Sequence, residues 1–175
     1  MLSIALLHHP CVDKNGNEVT TAITNLDLHD LARVCLTYGI DKLYIVHPYK
    51  IQRDFADKIM AHWRTGYGGK YNPLRKKAFS VVMLVESLES IKETENPVII
   101  ATSAKIRSNT ITWIELRDRV NKENICLVFG TGWGLSETVI EKADAVVEPI
   151  DPGTGYNHLS VRSAVSIAID RLLGR

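Results

Sequence analysis

The chain has 175 residues, of which 45% are hydrophobic and 23% charged, and a formal net charge of +1. That is an ordinary soluble globular profile, long enough for one domain with a full core and too short for two comfortable ones. No apolar run approaches the roughly 18 residues that a membrane-spanning helix needs, and the start, MLSIALLHHP, carries no charge ahead of its apolar run, so it reads as a buried strand rather than a signal peptide.

In chain order, Leu2–Leu7 predicts a first strand, followed by a polar stretch from Cys11 to Thr20 with an Asn15-Gly16 turn. A helix is expected from about Asp27 to Tyr38, with Leu28, Leu31, Ala32, Cys35 and Leu36 on one face and Gly39 as its stop. Leu43–Val46 is the second strand. Residues 51–65 read as a helix with Ile51, Phe55, Ile59 and Met60 facing inward. Ser80–Val85 is the third strand, 87–94 a short helix, and Val98–Ala101 the fourth strand. A helix over Trp113–Asn121, a strand over Ile125–Phe129, a helix over Ser136–Lys142 and a sixth strand over Ala145–Val147 follow. The last helix starts at an N-cap, Ser160, and places Val161, Ala164, Val165, Ala168, Ile169, Leu172 and Leu173 on one stripe. Six strands alternating with helices predict an α/β fold, a mainly parallel six-stranded sheet with helices on both faces.

Cys11, Cys35 and Cys126 form an odd, scattered set. They read as reduced core thiols, which suits a cytoplasmic protein. The six histidines show no metal-ligand spacing, so no metal site is expected.

Four segments are candidates for chemistry. Gly130-Thr131-Gly132-Trp133-Gly134 follows an apolar strand and opens a helix, so it reads either as a ligand turn with available N–H groups or as a tight structural turn. It is not the dinucleotide fingerprint, since its third glycine comes one position early and it follows the fifth strand rather than the first. The loop Glu148–His158, EPIDPGTGYNH, is longer than the roughly 2–6 residues such a connection needs, and reads as a built binding surface. Ala101-Thr102-Ser103 follows the fourth strand on the same sheet edge, as a ligand border or a capping turn. Residues 58–85 contain no acidic residue but hold Lys58, Arg64, Lys70, Arg75, Lys76 and Lys77 among Trp63, Tyr67 and Tyr71. That stretch is either a nucleic-acid face, with cations for phosphate and rings for bases, or a solvated loop.

Together these segments resemble the SPOUT class of RNA methyltransferases, the α/β-knot family. GTGWGLSE resembles its second motif, and NHLSVRSAVSIAIDRL its third. Asp27–Arg33, leading into YGIDKLYIV, resembles its first. The resemblance covers most of the chain and extends to a small, stand-alone bacterial branch of the class. There are departures: Thr131-Gly132 replaces the portion where the ribose 2′-O-methylating branch has a Glu, and Asp27 stands where that branch has an Asn.

The resemblance implies one methyltransferase domain over residues 1–175 with a C-terminal trefoil knot. It implies methyl transfer from S-adenosylmethionine to tRNA or rRNA, on a base or a ribose 2′-hydroxyl, by a homodimer. The cofactor would be held by Ala101, Thr102 and Ser103; by Phe129, Gly130, Thr131, Gly132 and Gly134; and by Pro149, Ile150, Tyr156, Asn157, Leu159, Ser160 and Val161. Arg33 matches the family's catalytic Arg, or pairs with Asp30 or Asp41 on the helix surface, and Asn157 is a second catalytic candidate. Arg64, Lys70, Arg75, Lys76 and Lys77 would bind RNA, alone or with an accessory RNA-binding protein. Two rival expectations are a non-catalytic knotted RNA-binding module and a nucleotide-dependent enzyme that uses GTGWG as a phosphate loop.

Overall fold

A computed structural model describes residues 1–174. Its sheet has seven parallel strands: β1 (Leu2–Leu7), β4 (Leu43–Val46), β5 (Val82–Val85), β6 (Val98–Thr102), β7 (Thr110–Ile111), β8 (Ile125–Gly130) and β9 (Ala145–Val147). The order across the sheet is β5-β4-β1-β8-β6-β9-β7. A separate antiparallel ribbon joins β2 (Cys11–Val12) to β3 (Glu18–Val19). The strand count therefore corrects the six expected. β7 is two residues long, and a dipeptide carries no periodicity from which a strand can be read.

Successive strand residues point to opposite faces, and both faces are buried. Leu2, Ile4 and Leu6 of β1 join one core cluster, while Ala5 and Leu7 join another. The first face is covered by α1 (Asn25–Thr37), α2 (Lys50–Arg64), α4 (Pro73–Ala78), α6 (Trp113–Val120) and α8 (Val161–Leu173). The second carries α5 (Leu88–Glu95) and α7 (Glu137–Lys142), through Ile91, Val139 and Ile140. Cys11, Cys35 and Cys126 are buried free thiols.

Local signals explain most helix ends. The Thr24 hydroxyl accepts the Asp27 N–H at 3.1 Å, so α1 starts two residues before the expected position. Thr112 and Glu115 form a reciprocal capping box on α6. Ser160 accepts from the Ser163 N–H at 3.3 Å, as read from the sequence.

One expectation fails locally. In α2, Ala56 and Met60 are buried with Ile59 and Trp63 packed beside them, whereas Ile51 is 76% and Phe55 49% exposed. The stripe 56, 59, 60, 63 has helical spacing and wins; 51 and 55 belong to a second stripe. Between α2 and β5 lie α3 (Tyr67–Tyr71) and α4, where one of the two readings of the sequence had a solvated loop. A Cβ on Gly69 would lie 2.2 Å from the Trp63 carbonyl oxygen, so glycine lets α3 press onto α2.

Candidate functional site

The carboxyl ends of β1, β6, β8 and β9 meet at one sheet edge, where an α/β protein places its ligand crevice. A cavity of about 410 Å³ opens there, within the size range of small-molecule sites. Its walls come from four segments: Thr21 to Asp27 after the ribbon, Thr102–Ala104 after β6, Phe129–Gly134 after β8, and Val147–Val161 after β9. Trp113 of α6 and Ala164 of α8 complete it.

Of the residues singled out for a cofactor, Thr102, Ser103, Phe129, Gly130, Thr131, Gly132, Gly134, Ile150, Asn157, Leu159, Ser160 and Val161 line this cavity. Ala101, Pro149 and Tyr156 do not. Ala101 points into the opposite core face, and Tyr156 is 73% exposed.

The glycine turn is tight. A Cβ on Gly130 would sit 2.5 Å from the Leu135 nitrogen and 2.6 Å from the Gly134 carbonyl carbon, so β8 can run this close to the returning chain only as glycine. The turn does not offer a row of free N–H groups, which favours the tight structural turn of the two readings. Thr131 N–H donates to Leu7 O at 3.1 Å, Trp133 N–H to Val12 O at 3.0 Å, and Gly134 N–H to Thr131 O at 3.0 Å. β1, the ribbon and the turn itself each take up one of the donors that a phosphate loop would need.

The cavity walls include two carboxylates, Asp27 and Glu148, and neither lysine nor arginine. Asp27 is buried. Its Oδ2 accepts from the Thr24 hydroxyl at 2.5 Å, and its Oδ1 lies 3.3 Å from Arg162 Nη1. The Arg162 Nε also reaches Asp30 at 3.4 Å, so this one guanidinium ties α8 to α1. Glu148 Oε1 accepts the Trp113 N–H at 2.9 Å. Asn157 Nδ2 donates to the Ala104 carbonyl at 2.8 Å, clasping the long loop to the segment after β6. Trp113, Phe129, Val147, Ile150, Leu159 and Val161 supply apolar wall.

A second layer lies beneath the ribbon. His8 Nδ1 is 3.0 Å from the Thr21 hydroxyl, which is 2.5 Å from the Thr131 hydroxyl. Burial, and then the neighbouring His47, pushes the His8 imidazole down to about 4, so it is neutral near pH 7. Thr21, Thr24, Asp27 and Trp113 were not foreseen as wall residues. They reach the cavity through tertiary folding, and only the cap signal at Thr24 marks any of them locally.

Arg33 does not reach the cavity. It is exposed on α1 and lines a groove between α1 and α8 with Asp30, Val34, Tyr38, Arg162 and Ile167. The groove adjoins the cavity at Ser160, which lines both. Among the described residues, Asp30 pairs with Arg162 rather than with Arg33.

The basic segment divides. Lys70, Lys76 and Lys77 are exposed, and in the same segment the rings of Tyr67 and Tyr71 stack, 6.4 Å apart at 20°. Arg64 is committed to the fold: its guanidinium donates to Phe79 O at 2.7 and 3.1 Å and to Val82 O at 2.7 Å. Arg75 lies 5.0 Å over the Trp63 ring and is half-buried. Among the described residues no cluster of metal-ligating side chains occurs, and no helix is long and apolar enough to cross a membrane.

A family described as SAM-dependent RNA methyltransferase matches residues 1–174. A tRNA (guanine-N(1)-)-methyltransferase of Nitratidesulfovibrio vulgaris is 39% identical over 179 aligned residues, covering 99% of the chain but 42% of that protein. An uncharacterized protein of Aquifex aeolicus is 37% identical, covering 98% of the chain and 88% of the relative. The chain thus spans less than half the length of the curated tRNA relatives it matches. Among solved structures, TrmJ from Z. mobilis superposes with a TM-score of 0.66 at 16% identity, over 100% of this chain and 69% of that one. That likeness shows a shared fold.

Proposed function

Since the chain belongs to the family of S-adenosylmethionine-dependent RNA methyltransferases, we propose that it transfers a methyl group from that cofactor to tRNA, at guanine N1. The names of its relatives support the substrate. The base rather than a ribose hydroxyl is supported by Thr131-Gly132 in place of the Glu-bearing portion of the second motif.

One observation carries the cofactor assignment: the charge of the cavity. Glu148 and the Arg162-paired Asp27 line it and no lysine or arginine does, while three N–H groups of the glycine turn are already bonded to backbone carbonyls. Such a site suits a sulfonium and opposes a pyrophosphate, which argues against the nucleotide-enzyme alternative. When bound, S-adenosylmethionine supplies an already activated methyl group, so the protein's work is alignment and exclusion of water. The apolar wall from Trp113 to Val161 forms a slot for adenine. Glu148, with Oε2 free of protein partners among the described residues, accepts from ribose hydroxyls. Asn157 holds the long loop closed over the site.

Residues 1–175 are proposed to act as one domain, and the segment from Glu148 through α8 to be threaded as a trefoil knot. Two features support the thread: β9 lies inside the sheet between β6 and β7, and α8 returns against both α1 and α6. The α1–α8 groove, with Val34 and Ile167 in its lining, is proposed as the homodimer contact. There Arg33 orients or neutralises the acceptor strand. It stays protonated and does not act as a base. Lys70, Lys76 and Lys77 meet tRNA phosphates, and the reaction belongs to the cytoplasm.

The test is transfer of radiolabelled methyl from S-adenosylmethionine to an unmodified tRNA pool, followed by nucleoside digestion. 1-Methylguanosine is expected. A 2′-O-methylated nucleoside would overturn the base assignment. Cofactor and tRNA binding without transfer would favour the non-catalytic module.

A further inference from the structure

Two aromatic side chains that neither the core nor the cofactor assignment uses meet at the cavity mouth, and a third stands just outside it. Trp133, in the glycine turn, is 59% exposed and lines the opening. The His158 ring meets it edge-on at 5.1 Å and 81°, and also lines the opening. Tyr156, 73% exposed, stands 6.3 Å beyond His158, tilted at 53°. The rings come from two separate loops, one after β8 and one after β9. An edge-on pair braces its members, and the indole keeps most of its surface exposed.

We propose that Trp133, braced by His158 and flanked by Tyr156, is the platform on which the acceptor nucleobase stacks once it leaves its helix. The proposal rests on the methyltransferase reading above. The argument is positional: an acceptor must approach the cofactor through the cavity mouth, which Trp133 and His158 line. An unstacked base presents two apolar faces and loses its neighbours on extrusion; a planar indole restores one such contact without reading sequence. The stacked Tyr67–Tyr71 pair lies on α3 in the basic segment, and is assigned to the flanking RNA rather than to the reacting base.

The test uses the full chain, an unmodified tRNA transcript pool and saturating S-adenosylhomocysteine. RNA affinity, tryptophan emission and S-adenosylhomocysteine affinity are read for the wild type, Trp133→Phe and Trp133→Ala. RNA should quench wild-type emission, and Trp133→Phe should lose most of that quench while binding RNA within about threefold. Trp133→Ala should bind RNA roughly 5- to 150-fold more weakly, the range for losing one base-stacking ring, with the smaller change in S-adenosylhomocysteine affinity. Wild-type RNA affinity in Trp133→Ala, or an undiminished quench in Trp133→Phe, would overturn the platform and leave the methyltransferase reading standing. A loss of S-adenosylhomocysteine affinity matching the loss of RNA affinity would reassign Trp133 to the cofactor wall and also overturn the proposal. A wild-type chain that binds no tRNA would overturn both.

Discussion

Replacing Arg162 by alanine tests how the C-terminal helix is fastened to the cavity. The guanidinium is one-third exposed, lies 3.3 Å from the nearly buried Asp27 carboxylate and 3.4 Å from the half-exposed Asp30. A fully exposed pair is worth about 0–1 kcal/mol, and stripping the partner from a buried charge costs about 3–5 kcal/mol. This geometry lies between, so the loss should be about 1–3 kcal/mol. In a chain of this size each kcal/mol moves the melting temperature by about 2–4 °C, giving a fall of about 2–12 °C. Asp27→Asn alone should cost under about 1 kcal/mol, because Arg162 keeps Asp30 and solvent. The double variant should then recover most of the Arg162→Ala loss, since no buried charge is left unpaired. Thermal and urea unfolding of all four proteins measures the cycle. Additive losses, or an Arg162→Ala protein that melts with the wild type, would refute this account of the α1–α8 junction.

Four further outcomes follow from the geometry. Asn157→Ala removes the clasp to Ala104; at about 0.5–1.5 kcal/mol for one net hydrogen bond, it should weaken S-adenosylmethionine about 2- to 12-fold by calorimetry, and an unchanged affinity with a collapsed turnover would make Asn157 catalytic instead. His8 is depressed to about 4 in the fold, against roughly 6.5 in the unfolded chain. The unfolded state therefore binds more protons between those values, and stability should fall by up to about 3 kcal/mol as pH drops from 7 to 4. His8→Gln should flatten that profile, and an equally steep one would contradict the assignment. Burial pushes the Cys35 and Cys126 thiols up to about 12, so iodoacetamide at pH 8 should label them only in denaturant; rapid labelling of the native protein would show those sites to be open. Replacing Lys70, Lys76 and Lys77 together by alanine should lower the salt dependence of tRNA binding, log K against log salt, by about 2–3, and an unaltered slope would clear that face of phosphate contacts.

What could be read in the sequence depended on how local the signal was. β1 and β8 announce themselves as apolar runs buried on both faces, and α8 through seven apolar positions at helical spacing behind a serine cap. β7 and the β2–β3 ribbon are two-residue pairings set by tertiary position, and dipeptides carry no period. α4 does carry a local signal, since Asn72 caps it and Pro73 opens it. At the site, the glycine turn and the long loop were legible because their composition is unusual for a plain connection. Thr21, Asp27 and Trp113 were not, since each is an ordinary residue that the fold brings to the cavity from elsewhere. Charge was the least legible property. Arg64 counts as a surface cation in the sequence, yet it is spent on the carbonyls of Phe79 and Val82.

The most direct test of the account is calorimetric titration of the purified chain with S-adenosylmethionine, S-adenosylhomocysteine, NAD and ATP. A cavity walled by Glu148 and the Arg162-paired Asp27, with no lysine or arginine in its lining and a glycine turn whose N–H groups are already bonded, predicts micromolar binding of the two methionine-derived ligands and none of the phosphate-bearing ones. Binding of NAD or ATP in their place, or of none of the four by folded protein, would contradict it.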